Sequence, residues 1–305
     1  MTPLDESKKI GNSLNINLFY KRDDLFALSG GGNKARKLAY ILKSTRAKGC
    51  KAIVTTGSNQ SNHIRAAALF AVRLGWKLIC IIHDTKPKRY EGNLKLVELC
   101  GAELRFVQKT DVKAEMDKAM IELRKAGYKP FYIWGGGHCV EGAFAYYEAV
   151  SELKGQLHGI IPHYIFVASG TGTTQAGIEV GVRRFLPQCN VIGISIARKA
   201  ARGKEAILQS MKELNTYLGN PISLPDDIVF DDAWIGGGYE AIYPELSDTI
   251  RWAAQTDGII LDPTYTGKAF HALKAYVRNG KIEPGSIVVF WHTGGLLNLM
   301  ATKHI

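Results

Sequence analysis

The sequence predicts an α/β protein built from two open, twisted parallel-sheet domains with helices on both faces. Short apolar runs alternate along the chain with amphipathic stretches, and a glycine-rich turn commonly joins one to the next. Strands that alternate with helices form parallel sheets that are covered on both faces. The runs are nearly all apolar rather than alternating, as expected of strands buried on both sides. A chain of 305 residues exceeds what one hydrophobic core usually serves, which predicts two domains.

Seven apolar runs carry the predicted strands. They read AIVTT from residue 52, KLICII from 77, ELRFV from 103, FYIW from 131, YIFVA from 164, VIGISI from 191 and SIVVFW from 286. Helices are predicted after them, for example in HIRAAALFAVRLG, in VKAEMDKAMIELRKAG and after the turns GGGH, SGTG and HTGG. The four strand–helix units between residues 44 and 152 predict a compact small domain, and residues 1–43 and 153–305 predict a large one.

The composition predicts a soluble globular protein, with 46% hydrophobic and 22% charged residues. The amino terminus lacks the apolar core of a signal peptide, and no apolar run is long enough to span a bilayer. Five widely spaced cysteines without metal-ligand spacing are expected to be free thiols in a reducing cytoplasm. The net charge of +11 is scattered along the chain, which favours small anionic ligands over nucleic acid.

Two loops after predicted strands carry polar groups that could bind a ligand. Residues 169–177, SGTGTTQAG, place glycines and threonines before a helix, where backbone N–H groups and the helix dipole favour an anion. Their spacing matches neither a dinucleotide fingerprint nor a nucleoside-triphosphate loop, which leaves a monophosphate cradle or a tight capped turn. Residues 57–63, GSNQSNH, suit a carboxylate or form an ordinary helix cap.

Two later segments follow the same arrangement. Residues 262–270, DPTYTGKAF, and residues 292–295, HTGG, are each either a turn with a cap or part of a site. The chain has no G-x-S-x-G motif, so a serine-hydrolase nucleophile is not predicted. No His–Glu pair has zinc spacing, so a zinc site is not predicted either.

Lys34 follows three glycines at the start of a predicted helix, in LSGGGNKARKLAY. Asn33 is expected to cap that helix. The helix dipole and the neighbouring Arg36 and Lys37 disfavour another positive charge, which predicts a lowered pKa for the Lys34 amine. A neutral lysine amine attacks carbonyl groups. The alternative is a solvated surface lysine, as most lysines are.

In this order, the segments KRDDL, GGNKARKL, QSNHIR, GTGTTQAG, LDPTYTGKA and HTGG resemble those of the D-cysteine desulfhydrase and aminocyclopropane-carboxylate deaminase family. They span nearly the whole chain, from residue 21 to 295. Members of that family use pyridoxal 5'-phosphate and have the tryptophan synthase β-like fold, called fold type II. The resemblance implies that residues 1–43 and 153–305 bind this cofactor and that residues 44–152 close on the substrate.

The resemblance also implies how the cofactor is held. Lys34 would bind its aldehyde covalently, and the freed amine would take the α-proton of the substrate. Asn62 would hydrogen-bond the ring oxygen, and Thr266 would meet the pyridine nitrogen. The other residues expected to contact the cofactor are Thr171, Gly172, Thr173 and Thr174, at the phosphate, and Thr293.

The substrate is expected to be a small amino acid. By resemblance, Ser61, Asn62 and His63 form the loop that binds its carboxylate, and Ser61 is also expected to act in catalysis. Tyr239, in GGGYEA, and Tyr265 are expected to face the substrate, and Tyr265 to assist the leaving group. No metal ion is expected at this site, and the family implies a homodimer.

Two threonines distinguish the reactions of the family. The deaminases place a glutamate at the position of Thr266 and a leucine at that of Thr293. A neutral threonine holds a proton on the pyridine nitrogen poorly, which favours α,β-elimination of D-cysteine or a related amino acid to pyruvate and ammonia. The alternatives are aminocyclopropane-carboxylate deamination, which yields 2-oxobutyrate and ammonia, and binding of pyridoxal phosphate or an amino acid without turnover.

The chain departs from the family pattern at several positions. His138 and Cys139 stand where the family has Ser–Asn before a helix, and Ser58 and Asn59 before QSN are unusual. These positions are expected near the cleft, so the substrate could also be D-serine, a chlorinated alanine or a sulfonated amino acid. Its chirality is left open by the sequence.

Overall fold

A computed structural model describes residues 1–303 and 305 of the chain. The strands in this part are β1 (Leu4–Ser7), β2 (Asn17–Arg22), β3 (Ala52–Gly57), β4 (Lys77–Ile82), β5 (Glu103–Phe106), β6 (Pro130–Ile133), β7 (Tyr164–Ser169), β8 (Asn190–Ser195), β9 (Val229–Asp231) and β10 (Ile287–His292). Short 3-10 helices cover Asp23–Leu25 and Lys109–Asp111.

The α-helices cover most of the remaining chain. They are α1 (Lys8–Leu14), α2 (Gly32–Ala47), α3 (Asn62–Leu74), α4 (Gly92–Leu99), α5 (Val112–Lys125), α6 (Val140–Gln156), α7 (Thr173–Phe185), α8 (Ala200–Tyr217), α9 (Pro244–Asp257), α10 (Thr266–Arg278) and α11 (Leu296–Met300). Among the residues that the structure describes, no helix is long and apolar enough to cross a membrane.

The strands form two sheets. The larger has the order β1-β2-β10-β7-β8-β9, and the smaller has the order β5-β4-β3-β6. Neighbouring strands run parallel except β1 and β2, which pair antiparallel. Along β7, Phe166 packs with residues of α9 and α10, whereas Ile165 and Val167 pack with residues of α6 and α7. Helices therefore cover both faces, and the predicted α/β fold is confirmed.

Three strands were not predicted from the sequence. The segment of β1 reads LDES and is mostly polar, and β9 has only three residues. Exposed and buried positions are mixed along β2, so it lacks a continuous apolar run. All three belong to the outer part of the larger sheet, where solvent reaches the strands. The apolar-run criterion detects strands buried on both sides and therefore misses the edge strands β1 and β9, and also β2, which lies between β1 and β10 but mixes exposed and buried positions.

The packing of α2 and α6 differs from the domain boundary predicted from the sequence. The four strands of the smaller sheet lie within residues 44–152. However, Leu38 and Ile41 of α2 pack with the core of the smaller sheet, although they precede residue 44. Ala149 and Leu153 of α6 pack with the core of the larger sheet. We therefore propose that the smaller domain begins with α2 and ends before α6.

A buried cluster of charged residues fixes α2 to the larger sheet. The Arg36 guanidinium donates from Nη2 to Asp23 Oδ1 at 2.7 Å and from Nη1 to Glu152 Oε2 at 3.0 Å. Asp23 also accepts hydrogen bonds from Tyr146 Oη, at 2.5 Å, and from Trp291 Nε1, at 3.0 Å. Burial, the largest single effect, raises the pKa of the Asp23 carboxyl, but Arg36 and the hydrogen bonds from Tyr146 and Trp291 together lower it by more, so it lies below its ordinary value.

Replacing the buried carboxylate should destabilise the fold strongly. Asp23→Ala leaves Arg36 buried without its main partner and removes the acceptor of Tyr146 and Trp291. We expect the free energy of unfolding to fall by about 3–5 kcal/mol, as when one partner of a buried ion pair is removed. Urea denaturation followed by circular dichroism measures the change.

Asp117→Ala is the matched control, because Asp117 pairs with Lys113 on the exposed face of α5. Its denaturation midpoint should stay close to that of the wild-type protein. Equal midpoints for the two variants would contradict a structural role for the buried cluster.

Candidate active site

A cavity of about 290 Å³ lies at the carboxyl ends of β3, β7 and β8, between the two sheets. Ligands bind at this edge in open parallel sheets. The predicted site residues in its wall are Lys34, Ser61, Asn62, His63, Thr171, Gly172, Thr174, Tyr239 and Tyr265. The wall does not include Thr173, Thr266 or Thr293. The structure thus brings nine of the predicted residues around one space.

The glycines before Lys34 are required by the backbone of the loop. Gly30, Gly31 and Gly32 have φ angles of 73°, 74° and 85°, in the left-handed region that other residues rarely adopt. A Cβ atom on Gly31 would lie 2.2 Å from the carbonyl oxygen of Asp24. The helix cap is Gly31 rather than Asn33, so that expectation was wrong. Asn33 lies in the first turn.

The Lys34 amine is poised for reaction by its surroundings. Burial lowers its pKa to about 8. The lowered pKa was predicted, but burial is its cause rather than the helix dipole or Arg36, which pairs with Asp23. Among residues 1–303 and 305, Lys34 has no hydrogen-bond or ion-pair partner. An amine with a pKa near 8 is about one-tenth neutral at pH 7, which is enough to attack a carbonyl group.

The start of α7 forms a cradle for an anion. The chain leaves β7 at Ser169, and the helix begins at Thr173 after Gly172, whose φ angle is 92°. No side chain of a residue that the structure describes caps this end, so the first backbone N–H groups of the helix are free to bind a ligand. The hydroxyl of Thr173 instead hydrogen-bonds His138 Nδ1 at 2.7 Å. Its backbone N–H group belongs to the first turn of the helix and is part of the cradle.

Lys37 is a second amine in the cavity wall, and the sequence reasoning missed its role. Its side chain is 1% exposed, and its Nζ atom donates to the carbonyl oxygen of Gly136 at 3.3 Å. Within the described part of the chain, no carboxylate pairs with it. Burial, and then the charge of Lys34, lower the pKa of Lys37 well below its ordinary value. A buried lysine without an acid indicates a site for an anion.

The start of α3 presents the other predicted loop. Ser61 caps the helix, and its Oγ atom accepts from the Ile64 N–H at 3.3 Å. The side-chain oxygen of Asn62 accepts from Asn93 Nδ2 at 3.0 Å. Ser61, Asn62 and His63 line the cavity, so a carboxylate bound beside them would lie at the positive end of the helix dipole.

His63 is neutral. Burial, and then the charges of Lys34 and Lys37, lower its pKa to about 3. The Thr55 hydroxyl donates to Ile133 O at 2.8 Å, so it accepts from His63 Nε2, which lies 2.8 Å away and carries the proton. The imidazole therefore supplies no positive charge, and His63 could bind a carboxylate only through its backbone.

Tyr239 and Tyr265 meet at the mouth of the cavity. Their hydroxyl groups share a hydrogen bond, and their rings are nearly perpendicular, with centroids 5.9 Å apart. Burial, and then Tyr239, raise the pKa of Tyr265 well above its ordinary value. Both hydroxyl groups are therefore protonated at neutral pH and can donate to a leaving group.

Thr266 and Thr293 lie beside the cavity rather than in its wall. The Thr266 hydroxyl donates to Asp262 Oδ1 at 2.7 Å and accepts from the Asp262 N–H at 2.9 Å. Its single proton is therefore used within the turn before α10. Thr293 contributes its carbonyl oxygen, which accepts from the Asn33 N–H at 2.9 Å. The predicted contact of Thr266 with the pyridine nitrogen stays a prediction.

Several polar groups in the wall were not singled out from the sequence. Thr56 Oγ1 and Ser169 Oγ are buried, and neither has a hydrogen-bond partner within residues 1–303 and 305. His83, which follows β4, also lines the cavity. Each of these three residues lies at or just after the carboxyl end of a strand, and this position could have identified them as site residues from the sequence. Unpaired buried hydroxyl groups indicate that a polar ligand belongs in this space.

The fold and this geometry define a class of enzyme that binds a phosphorylated aldehyde. The amine of Lys34 suits the aldehyde, and the start of α7 with Lys37 suits the phosphate. In the described part of the chain, no carboxylate pairs with either lysine. Pyridoxal 5'-phosphate carries both groups. A family model described as "Pyridoxal-phosphate dependent enzyme" matches residues 1–294, and the chain belongs to this family.

Relatives of known name match over the whole length. The D-cysteine desulfhydrase of Yersinia enterocolitica serotype O:8 is 32% identical over 307 residues, which cover 98% of this chain and 93% of the relative. The D-cysteine desulfhydrase of Klebsiella pneumoniae strain 342 is 31% identical over 309 residues, with the same coverage.

Solved structures support the same fold. An ACC deaminase homologue superposes with a TM-score of 0.88 at 31% identity, covering 97% of this chain and 89% of that chain. A hydrogen sulfide-producing enzyme from Fusobacterium nucleatum superposes with a TM-score of 0.71 at 18% identity, covering 98% and 96%. The predicted tryptophan synthase β-like fold and the predicted cofactor are thereby confirmed.

Covalent attachment of pyridoxal phosphate should depend on pH in the way that the pKa of Lys34 requires. Only the neutral amine attacks, so the rate of attachment to the apo protein should rise through pH 8 and level off above it. Borohydride trapping followed by peptide mass spectrometry measures the rate and the modified residue.

Lys34→Ala should abolish this attachment, and Lys43→Ala, at an exposed position of the same helix, should leave it unchanged. A rise centred above pH 10 would instead indicate a solvated lysine.

Lys37→Met should weaken binding of pyridoxal phosphate but not of pyridoxal, which lacks the phosphate. Hydrogen bonds to charged groups contribute about 1.5–3 kcal/mol, so the dissociation constant for pyridoxal phosphate should rise about ten- to hundredfold. Absorbance titration measures both ligands, with Lys43→Met as the control. Equal loss for the two ligands would contradict a phosphate contact at Lys37.

Proposed function

We propose that the protein is a pyridoxal phosphate-dependent lyase that removes the β-substituent of a small amino acid, with D-cysteine as the main substrate. D-cysteine and water would give pyruvate, ammonia and hydrogen sulfide. The observation that carries this proposal is the Lys34 amine, which has a lowered pKa and shares one cavity with the anion cradle and the paired tyrosines. Two relatives that match 98% of the chain are D-cysteine desulfhydrases, which supports D-cysteine.

The residues present fit the cofactor. The phosphate would bind the backbone at the start of α7, the hydroxyl groups of Thr171 and Thr174, and the Lys37 ammonium. Ser169 Oγ, which has no partner within the described residues, offers a further donor. When bound, the cofactor withdraws electrons from the α-carbon of the substrate and so makes its proton removable.

The substrate carboxylate would bind at the start of α3. The Ser61 hydroxyl is engaged in the helix cap and His63 is neutral, so the donors are the first backbone N–H groups of the helix. A carboxylate at a helix amino terminus is stabilised by the helix dipole. This binding orients the α-carbon of the substrate within the cavity that Lys34 lines.

Lys34 and the tyrosines would handle the protons. The Lys34 amine, with its pKa near 8, accepts the α-proton, and the electron pair of that C–H bond forms the new double bond as the Cβ–S bond breaks. The sulfur leaves with the electron pair of the broken bond. Tyr265, protonated and hydrogen-bonded to Tyr239, would donate a proton to the departing sulfur.

The second candidate is aminocyclopropane-carboxylate deamination. It is supported by the superposition on an ACC deaminase homologue at 31% identity. The neutral Thr266 argues against it, because opening the ring requires a stronger electron sink than elimination does. The third candidate is a protein that binds the cofactor or an amino acid without turnover, which would load with cofactor and form no product.

We also infer from the family resemblance that the protein is a cytoplasmic homodimer and that the smaller domain closes on the substrate. The scattered positive charge and the small cavity support a small anionic ligand rather than nucleic acid.

A product assay separates the three candidates. The protein loaded with pyridoxal phosphate should form pyruvate and sulfide from D-cysteine, faster than from L-cysteine or D-serine, and no 2-oxobutyrate from aminocyclopropane carboxylate. Lys34→Ala should lower the rate at least about 10²-fold, the usual contribution of general acid–base catalysis. Coupled assays specific for pyruvate and for 2-oxobutyrate measure the products.

Lys43→Ala is the control for loss of a lysine from α2, and its rate should equal that of the wild-type protein. Formation of 2-oxobutyrate would assign the second candidate. Full cofactor loading without any product would assign the third.

A further inference from the structure

Lys268 is a fully buried lysine that is bound by backbone carbonyl groups alone. Its Nζ atom donates to Gly238 O at 2.7 Å and to Ile235 O at 2.8 Å. The carbonyl oxygens of Tyr239, at 3.3 Å, and Ile196, at 3.4 Å, complete the group. Within residues 1–303 and 305, no carboxylate forms an ion pair with it. Burial lowers the pKa of Lys268 to about 8 and the Asp262 carboxyl raises it, so the amine is mostly charged at pH 7.

Three of these carbonyl groups, those of Ile235, Gly238 and Tyr239, belong to a loop that packs against the core through Trp234 and Tyr243, but the carbonyl groups themselves have little other support. This loop connects β9 to α9 and contains no helix or strand. Gly236, Gly237 and Gly238 follow one another, with φ angles of 65° at Gly236 and 143° at Gly238. Consecutive glycines give such a loop a large conformational entropy to lose. In the described part of the chain, the one other hydrogen bond to its three bound carbonyl groups comes from Ala241 N–H to Gly238 O, at 3.3 Å.

The same loop carries Tyr239 into the cavity. Lys268 stands on α10, three residues after Tyr265, and the hydroxyl groups of Tyr239 and Tyr265 share a hydrogen bond. One helix therefore positions both tyrosines, Tyr265 at its start and Tyr239 through the loop that Lys268 binds. Ile196, whose carbonyl group Lys268 also contacts, lies in the cavity wall.

The chemistry of the contact requires a cation. A charged ammonium has three N–H donors, whereas a neutral amine has two and no charge to attract the carbonyl dipoles. Several carbonyl oxygens around one positive charge are the ligand set that proteins use for a monovalent cation. The cluster thus differs from an ordinary buried lysine, which pairs with a carboxylate, as Lys21 does with Glu152.

We propose that Lys268 is a positioning residue whose ammonium group acts as a built-in monovalent cation and holds the loop of residues 235–239, with Tyr239, against Tyr265. Lys268 is not among the residues that line the cavity. Lys268 contributes to turnover through Tyr239, and this part of the inference rests on the proposed function. The effect of Lys268 on the loop is independent of the proposed function.

Hydrogen exchange tests the inference without reference to activity. In Lys268→Ala, amides of residues 235–241 should exchange at least tenfold faster than in the wild-type protein, while the strands of the larger sheet keep their protection. Added ammonium chloride should restore the slow exchange, because the ion enters the vacated space and donates to the same carbonyl groups. The turnover number should fall in the variant and recover with ammonium.

Three controls separate a bound cation from general effects. Tetramethylammonium chloride has the same charge but no N–H donors, and it should not restore slow exchange. Lys268→Met fills the space with an apolar chain and should exchange fast with or without ammonium. Lys274→Ala removes another lysine of α10, whose amine lies over the Trp252 ring, and should match the wild-type protein.

Unchanged loop exchange in Lys268→Ala, or no effect of ammonium on it, would overturn the inference. If that variant does not fold, Lys268→Gln decides, because it keeps N–H donors but carries no charge. Fast loop exchange in Lys268→Gln supports the inference, and wild-type exchange refutes the need for a cation. A wild-type protein that forms no pyruvate would refute the proposed function but leave the exchange result intact.

Discussion

The structure depends on how one helix separates its positive charges. On α2, Arg36 points into a buried cluster where Asp23 and Glu152 pair with it, and Lys34 and Lys37 line the cavity without an acid within the described residues. The carboxylates that could have neutralised the lysines are thus engaged elsewhere. Burial of unpaired amines is costly, so their pKa values fall. The cavity therefore contains two amines without acidic partners, and these favour the binding of an anion.

That charge separation explains how an amine suited to an aldehyde, Lys34, and an amine suited to a phosphate, Lys37, can lie one helical turn apart. Lys34 and Lys37 are three residues apart, so they share a face of α2. The start of α7, with uncapped N–H groups, approaches the same space and makes it more favourable for a phosphate. A bound phosphate would keep Lys37 charged, whereas Lys34 would face the aldehyde of the cofactor and could lose its proton. The difference between the two amines lies in what each one faces rather than in its own chemistry.

Much of this site could be predicted from the sequence, because strand-to-helix turns that are rich in glycine and polar residues mark the ligand-binding edge of a parallel sheet. Lys34, Asn62, Thr171 and Tyr265 follow from such turns and from the family resemblance, and all four line the cavity. The cap of α2 was predicted wrongly, because the helix begins at Gly32, after Gly31, where the Asp24 carbonyl oxygen leaves no room for a Cβ atom. The edge strands were missed because they lack a continuous apolar run.

Lys37 and Lys268 show where sequence reasoning ends. In the sequence both resemble surface lysines, yet both are at most 1% exposed. Their burial results from the packing of α2 and α10 against distant segments, which no local pattern encodes. The formal net charge of +11 was interpreted as attracting small anions, but two of the lysines counted in it, Lys37 and Lys268, lie inside the protein. A buried lysine that faces an empty polar cavity indicates a ligand, whereas one that faces carbonyl groups indicates a loop that must be held. Sorting buried lysines by the acceptors around them therefore separates binding residues from positioning residues in this fold.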